Sequence, residues 1–271
     1  MDEKFFSNNL WYHFLTGEFK VPPPMFIRVL SGTVGRVYKI LPSNPHCSEC
    51  SVPMAGFGGN ALRFMGSAPS SFSSRLCSAC ERGVRKNEGG AEVELTMVFA
   101  DVRDSTPLAE ELGPTGFREV INRFFKETSR ILIEHNAMVN RLVGDQVIGL
   151  FVPRFAGKNH AETALEATKD LLRVTGHGDE KKPWISVGVG IHTGEAYVGA
   201  VGSANGVNEI AVLGSAANLC ARLSSKAAAG EILISEDSVK FGDLEVDDLE
   251  SRSLKLKGVS QPVSVSVVKV K

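Results

Sequence analysis

Two groups of residues in this chain have the types and spacing that could carry chemistry. Two aspartates each follow a short apolar segment, Asp101 in FADVRDST and Asp145 in RLVGDQVIGLF. Carboxylates that converge at the ends of neighbouring strands suit one or two Mg²⁺ ions. The second group is a set of four cysteines in the first third of the chain, arranged as two C-x2-C pairs: Cys47, Cys50, Cys77 and Cys80.

The spacing of these four cysteines predicts a metal site. With 26 residues between the two pairs and no secretion signal, paired knuckles of this kind indicate zinc, because two knuckles complete a closed tetrahedral site. An iron–sulfur cluster uses the same ligands and stays an alternative, and two disulfides are the structural alternative. His46 is interpreted as a loop histidine that could serve as an alternate ligand, and Cys220 as a packing residue.

Each aspartate also has a purely structural interpretation. Asp145 could be the turn former of a Val-Gly-Asp hairpin, and Asp101 could cap the helix that Ser105, Thr106 and Pro107 predict. An aspartate at the end of an apolar strand is nevertheless costly to desolvate without a cation. Two such residues on strands that could be neighbours therefore favour metal binding.

Composition limits the kind of protein that carries these groups. The 271 residues are 43% hydrophobic and 23% charged, which is typical of a globular protein and excludes disorder, collagen-like repeats and long coiled coils. The first 90 residues hold 10 Lys and Arg against 6 Asp and Glu, too modest an excess to predict nucleic-acid binding. With no long apolar run and no signal peptide visible, we expect a cytoplasmic protein without a membrane partner.

The pattern of apolar residues changes near residue 90, which predicts two domains. Residues 1–90 should form an aromatic-rich helix, a proline spacer at Pro22–Pro24 and a turn-rich module that a metal organises. Residues 91–271 should hold the second domain. Its order of strand, helices interrupted at Gly113-Pro114, paired strands, helix from about His160 to Val174, strand, helix and further strands indicates an α+β fold with helices on one face of one sheet.

Four motifs of the second domain occur in a familiar order. FADVRDST, RLVGDQVIGLF, VGVGIHTGEAYVG and LGSAANLCARL resemble the catalytic domain of the class III adenylate/guanylate cyclases, over about residues 92–271. The resemblance implies a ferredoxin-like sheet and conversion of a nucleoside triphosphate into a cyclic nucleotide with two Mg²⁺ or Mn²⁺ ions per site. The resemblance does not extend to the first third of the chain, which carries the four paired cysteines.

The resemblance also assigns roles to residues. Asp101 and Asp145 match the family's metal-binding pair, with Val102 beside them in the metal-binding segment. The backbone amides from Val102 onward, where a helix begins, are placed to hold the β- and γ-phosphates. These amides belong to Val102, Arg103, Asp104, Ser105 and Thr106.

Two residues four apart on a predicted helix, Asn218 and Arg222, match the family's transition-state residues. The asparagine positions the ribose and the arginine stabilises charge on the α-phosphate. Lys257 matches the triphosphate-binding lysine, although Lys255 could take its place. In the family the metal pair and the Asn/Arg pair come from different protomers, so one copy carrying both implies a head-to-tail homodimer.

The positions that read the base depart from the family's patterns. Arg141 stands where adenylate cyclases usually carry Lys, and Ala211 where they carry Asp or Thr. Guanylate cyclases usually have Glu and Cys or Ser there. Arg141 could donate to adenine N1 but offers nothing to the guanine N1–H, so we expect ATP to be preferred.

Three functional classes follow from the sequence. The first is an active nucleotide cyclase that makes cyclic AMP, with guanylate cyclase as an alternative and the N-terminal module as structural or regulatory input. The second is a degenerate cyclase domain that binds nucleotide without turnover. The third, a nucleic-acid-binding zinc ribbon fused to an inert domain, is disfavoured by the charge of the first 90 residues.

Overall fold

A computed structural model describes residues 3–22, 38, 45–63, 68–70, 72–178, 182–202, 209–246 and 249–270. Most of the predicted proline spacer and the apolar segment after it lie outside these residues. The chain divides into two compact units. The first contains residues 1–93, 153–155 and 197–212, and the second contains residues 94–152, 156–196 and 213–271.

Three helices lie in the described part of residues 1–93. They are α1 (Glu3–Thr16), α2 (Gly56–Leu62) and α3 (Ser78–Lys86). The aromatic face of α1 is buried at Trp11, Phe14 and Leu15, as its sequence predicts. The sequence of the turn-rich module does not predict α2 or α3. For α3 the reason is its N-cap, which is a cysteine: the Cys77 sulfur accepts the Cys80 N–H at 3.5 Å.

One mixed sheet runs through the rest of the described chain. Its strands are β1 (Gly89–Val102), β2 (Met138–Val143), β3 (Gln146–Phe151), β4 (Val187–Val201), β5 (Glu209–Leu213), β6 (Glu231–Ser235), β7 (Glu250–Leu254) and β8 (Val263–Lys269). Their order is β2-β3-β1-β4-β6-β8-β7, with β5 beside β4. The helices that accompany it are α4 (Ser105–Glu134), α5 (Pro153–Ala156), α6 (His160–Val174), α7 (Ser215–Lys226) and α8 (Glu236–Gly242). The predicted α+β fold is confirmed.

The pairing of β1 with β3 places the ends of both strands. The two are antiparallel, from Thr96 opposite Phe151 to Asp101 opposite Gln146. Strands β2 and β3 form the predicted hairpin around Gly144 and Asp145. Asp145 therefore lies at the edge of the sheet where β1 ends.

Helix α4 contains the predicted interruption. Gly113 has φ 67° and ψ 171°, outside the helical region, and Pro114 follows it. A short first segment therefore starts directly after β1, and the longer second segment packs Ile121, Phe124 and Leu132 into the core. The interruption lets the first segment take its own direction, and this segment begins shortly after Asp101 in the chain.

The glycines of VGVGIHTG let α7 lie close to β4. A Cβ at Gly190 would stand 2.4 Å from the Ser224 nitrogen and 2.7 Å from the Cys220 carbonyl oxygen. Cys220 is fully buried there, which agrees with its interpretation as a packing residue. The small residues of α7 thus pack directly against the glycines of β4.

Several element boundaries differ from those that the sequence predicts. The sequence WISVGVGIHTG predicts a strand that ends at Gly194, but β4 continues to Val201. The sequence SAANLCARLSSKAAA before Gly230 predicts a helix through these residues, but α7 ends at Lys226. Helix α8 was not foreseen because it is short and starts immediately after β6. Lys255 and Lys257 both lie after the end of β7 and not on a strand. Lys257 is in a turn, in which Gly258 has φ +73°.

Candidate active site

The two aspartates come together at the end of the β1–β3 pair. The Val102 N–H donates to the Asp145 carbonyl oxygen at 3.2 Å, so the residue after Asp101 is tied to Asp145 itself. Both side chains are partly exposed. Burial raises the pKa of Asp101 above its ordinary value; the Arg103 guanidinium opposes this rise and the nearby Asp145 carboxylate adds to it.

Arg103 is the cation that faces Asp101. Its guanidinium forms an ion pair with the Asp101 carboxylate and donates to the Asp101 carbonyl oxygen at 3.3 Å. The same group reaches the Ser225 carbonyl oxygen at 3.3 Å, at the carboxyl end of α7. Among the described side chains, Arg103 pairs with Asp101 and not with Asp145, and the oxygen donors of the two carboxylates are of the kind that fits Mg²⁺ or Mn²⁺.

The start of α4 adjoins these carboxylates along the chain. Asp104, the N-cap residue, has φ 55° and ψ 36°, and within the described chain its side chain makes no capping hydrogen bond. The backbone N–H groups at Ser105 and Thr106 therefore point outward without a side-chain cap. The beginning of a helix with uncapped N–H groups is suited to bind phosphate oxygens.

Asn218 and Arg222 lie together in a separate cleft of about 860 Å³. Both line it from one face of α7, with Ser215 one turn earlier. Gly258 closes the cleft beside Arg222: a Cβ there would stand 3.3 Å from an Arg222 guanidinium nitrogen. Neither Asp101 nor Asp145 is among the described residues that line this cleft. One chain thus places the acids and the Asn/Arg pair apart.

The described lining of the cleft does not include the other residues predicted to bind the substrate. Lys257 is exposed in the turn next to Gly258 but does not line the cleft. Arg141 lies on β2 opposite Ile148, after an irregularity at Val139, and its side chain lies outside the described part. Ala211 is half-buried on β5. Their roles stay predictions.

The four cysteines converge in the first unit. Their sulfur atoms all lie within 4.8 Å of one another, and the Cys50 and Cys77 sulfurs are 3.8 Å apart. Four sulfurs bound at about 2.3 Å to one ion would be about 3.8 Å from each other, so this set fits one tetrahedral ion. The Cys77 N–H donates to the Cys47 sulfur at 3.3 Å, which links the two knuckles.

Thiol ionisation in this cluster is uneven. Hydrogen bonds from Cys50 and Cys77 hold the pKa of Cys47 well below its ordinary value, while hydrogen bonding with Cys47 holds the pKa of Cys80 well above it. Four thiolates this close repel one another unless a cation lies between them. The donor set therefore favours a metal over free thiols.

Buried histidines hold the fold around the cleft. His192 Nδ1 hydrogen-bonds the Ser235 hydroxyl at 2.8 Å, and His160 Nδ1 hydrogen-bonds the Thr96 hydroxyl at 2.7 Å. Burial lowers the pKa of both histidines, to about 4 for His160. The network gives His192 a structural role, and no spacing in the sequence could have indicated it.

Arg154 is a residue that the sequence reasoning missed. It lies on α5, three residues after the end of β3, and is nearly buried, with its guanidinium 3.0 Å from the Glu49 carboxylate. Glu49 lies between Cys47 and Cys50, and burial raises its pKa although Arg154 opposes that rise. The only sequence signal was an arginine next to a proline after a buried strand, which is not specific.

The family of the chain follows from this fold and from sequence comparison. The model of the adenylate and guanylate cyclase catalytic domain matches residues 90–266. The chain belongs to this family, and the resemblance noted from the motifs is confirmed. An adenylate cyclase of Anabaena cylindrica is 27% identical over 201 residues, which are 69% of this chain and 39% of that protein.

Other proteins agree with this assignment. Adenylate cyclase 1 of Rhizobium meliloti is 28% identical over 182 residues, covering 60% of this chain and 26% of that protein. The chain thus spans well under half the length of these relatives. The crystal structure of the guanylyl cyclase Cya2 has a TM-score of 0.59 at 28% identity and covers 68% of this chain and 95% of its own.

A second solved structure has the same fold. The adenylyl cyclase CyaB from P. aeruginosa has a TM-score of 0.57 at 27% identity, covering 67% of this chain and 97% of its own. One of these two structures is a guanylyl and the other an adenylyl cyclase, so the comparisons leave the base open. Within the described residues, no helix is both long and apolar enough to cross a membrane.

Proposed function

We propose that this protein is a homodimeric nucleotide cyclase that converts ATP into 3′,5′-cyclic AMP and pyrophosphate. The observation that carries the proposal is the retention, in a cyclase catalytic domain, of both the paired carboxylates and the Asn/Arg face of α7. A domain that only binds nucleotide has no use for groups that act in the transition state. The division near residue 90, with the cysteine module before the catalytic domain, belongs to the same proposal.

Each group has a defined part in the reaction. The ribose 3′-oxygen forms a bond to the α-phosphorus, the bond to the bridging oxygen of pyrophosphate breaks, and the hydroxyl proton leaves to solvent. Asp101 and Asp145 would hold the divalent ions, whose chemistry would be to activate the nucleophile and neutralise the leaving group. The amides at the start of α4 hold the terminal phosphates, Asn218 orients the ribose and Arg222 stabilises charge at the α-phosphate.

The separation of the two sets within one chain supports a shared site. Neither carboxylate lines the cleft of Asn218 and Arg222, so a second copy is needed to bring the sets together. Mixing inactive Asp101→Asn and inactive Arg222→Ala chains should restore about a quarter of wild-type activity, because about half of the dimers are mixed and each has one intact site. Chains that exchange freely, as shown by mass spectrometry of labelled subunits, yet form no product would exclude this arrangement.

Base preference depends on Arg141. A guanidinium only donates, so it pairs with adenine N1 but meets the guanine N1–H as an unpaired donor. Ala211 lacks an acceptor for the adenine 6-amino group, so the discrimination should be incomplete. We expect kcat/KM for ATP to exceed that for GTP by roughly 10- to 100-fold. Arg141→Glu should narrow or reverse the ratio, with Arg130→Glu on the exposed face of α4 as the control.

The direct test is product formation by the purified chain. Incubation with ATP or GTP and saturating Mn²⁺, followed by chromatography for cyclic AMP and cyclic GMP, measures activity and base preference together. The degenerate, binding-only alternative rests on Arg141 and Ala211. It predicts saturable nucleotide binding by calorimetry with no cyclic product at any Mn²⁺ concentration.

For the four cysteines we propose one Zn²⁺ per chain. Sulfur atoms within 4.8 Å of one another support a single ion, since a cluster spreads its thiolates over several iron atoms. Elemental analysis of colourless protein should give about one zinc per chain, lost in Cys47→Ser and kept in Cys220→Ala. Brown protein containing iron and sulfide would decide for the cluster.

A further inference from the structure

Arg154 joins the first cysteine knuckle to the end of β3. Its guanidinium donates to the Ser48 carbonyl oxygen at 2.6 Å and pairs with Glu49 at 3.0 Å. Ser48 and Glu49 are the two residues between Cys47 and Cys50. A third bond, at 3.0 Å, reaches the His13 carbonyl oxygen near the end of α1. One nearly buried planar cation therefore holds the knuckle and the N-terminal helix together.

The beginning of β1 is held by the same helix. The Gly90 N–H donates to the Asn8 side-chain oxygen at 3.2 Å, and the Trp11 indole N–H donates to the Asn87 carbonyl oxygen at 3.2 Å. Phe14 packs edge-on against Phe155, which follows Arg154, with ring centroids 5.5 Å apart. The N-terminal module thus holds the first residues of β1 and the residues that follow β3.

These two strands are the ones that carry the two acids. Along the chain β1 leads to Asp101, and β3 begins immediately after Asp145 and ends three residues before Arg154. They pair in a continuous antiparallel register. The acids lie at one end of this strand pair and the segments held by the module at the other. A shift of β3 along β1 would therefore change the position of Asp145 relative to Asp101.

The knuckle can hold Arg154 in place only while its own shape is kept. Between two metal-bound sulfurs, the Ser48 carbonyl and the Glu49 carboxylate have fixed directions. Without a cation the four sulfurs repel or protonate, and the module loses the constraint that joins its two knuckles. The three partners of Arg154, the Ser48 and His13 carbonyl oxygens and the Glu49 carboxylate, are then no longer held in one arrangement.

We propose that Arg154 is a positioning residue through which the zinc-filled cysteine module holds β3, and with it Asp145, in the arrangement needed for cyclisation. The proposal rests on the cyclase activity and the zinc site proposed above. It makes the module an input to turnover: loss of zinc lowers kcat and leaves nucleotide binding by α7 largely unchanged. Arg154 belongs neither to the residues that line the cleft of Asn218 and Arg222 nor to the four cysteines.

The test compares zinc-loaded with zinc-stripped full-length protein. Zinc is removed with a chelator selective for zinc over magnesium, and kcat and KM are measured at saturating Mg²⁺. In the wild type kcat should fall about tenfold with little change in KM. Arg154→Met should have a low kcat in both states, so that the zinc response falls to less than about twofold, while its zinc content stays at the wild-type level.

Two further variants separate positioning from folding. Arg154→Lys keeps the charge beside Glu49 but cannot reach Ser48 and His13 with one planar group, so its zinc response should be intermediate. Arg85→Met is the matched control, because Arg85 also pairs with a glutamate of the module, Glu81 at 2.9 Å, and its other described contact, the Phe72 ring, lies in the module as well. It should keep the full zinc response.

Hydrogen–deuterium exchange of the β3 amides gives a readout that does not need activity. Zinc removal should speed exchange in β3 of the wild type and of Arg85→Met, whereas Arg154→Met should exchange fast in both states. A wild type that is active but insensitive to zinc, or an Arg154→Met that responds as fully as the wild type, would overturn the proposal. A wild type without cyclic product contradicts the proposed cyclase instead, and the exchange data still decide on the coupling.

Discussion

Two arginine–carboxylate pairs in the catalytic domain have opposite electrostatic outcomes. Asp101 faces one cation, Arg103, and one anion, Asp145, and burial leaves its pKa raised. Glu231 accepts two hydrogen bonds from Arg252, at 2.7 and 2.8 Å. These bonds, together with the Ala228 N–H and Lys269, lower the pKa of Glu231 to about 2.

The two pKa shifts have different leading causes, burial for Asp101 and the hydrogen bonds from Arg252 for Glu231. The Glu231 side chain is only 6% exposed and the Asp101 side chain 21%, yet Glu231 is the one whose charge is favoured. Glu231 and Glu250 pair with Arg252 and Lys269, whereas among the described side chains Asp101 pairs with Arg103 and has the Asp145 carboxylate nearby. A balanced cluster stabilises the fold, and a cluster with excess negative charge is prepared to bind a cation.

The largest expected effect is on turnover. Asp101→Asn should reduce cyclase activity by roughly 10³-fold or more, because the carboxylate that holds the metal is lost. Glu231→Gln, the matched carboxylate-to-amide change, should keep activity near the wild-type level. Initial rates at saturating Mn²⁺ measure both. An Asp101→Asn variant that kept a tenth of the activity would remove the distinction between the two clusters.

The second effect is on stability and reverses the order of the two variants. Glu231→Gln should lower the free energy of unfolding at pH 7 by about 2–3 kcal/mol, since the lowered pKa reflects favourable pairing of the charged form. Asp101→Asn should cause no such loss. Urea denaturation followed by circular dichroism gives both values, and equal losses would mean that the two pairs do the same structural work.

Acid titration sharpens the comparison. Because the folded pKa of Glu231 is about 2 against an ordinary value of 4.5, its contribution is complete above about pH 5 and is lost as the pH falls through 4.5 towards 2. The wild type should lose stability over this window, and Glu231→Gln should show a flatter profile there. Identical slopes for wild type and variant would show that Glu231 is not the group responsible.

The smallest effect concerns the metal-free protein. The raised pKa of Asp101 means that its charged form costs stability, which is fully avoided at low pH and is incurred as the pH rises through the folded pKa. Metal-free Asp101→Asn should therefore melt at a slightly higher temperature than metal-free wild type at neutral pH. Added Mn²⁺ should raise the melting temperature of the wild type only. A variant that melts lower without metal would contradict the excess of negative charge.

The sequence alone was sufficient for the features that repeat over short distances. Alternating and helical periodicity predicted β1, the hairpin of β2 and β3, α6 and the break at Gly113, which are confirmed. A spacing of four placed Asn218 and Arg222 on one face of α7, and two C-x2-C pairs predicted a cluster of four sulfurs. Each of these follows from backbone geometry or ligand spacing that a short segment carries by itself.

Only the tertiary structure decided which charges meet. Arg103 reaches Ser225, 122 residues away, and Arg154 reaches Ser48, 106 residues away. No local pattern predicts such partners, because a side chain's neighbours depend on how distant segments pack and not on the period of its own segment. For the same reason only the folded chain determines that burial raises the pKa of Asp101 while the hydrogen bonds from Arg252 lower the pKa of Glu231.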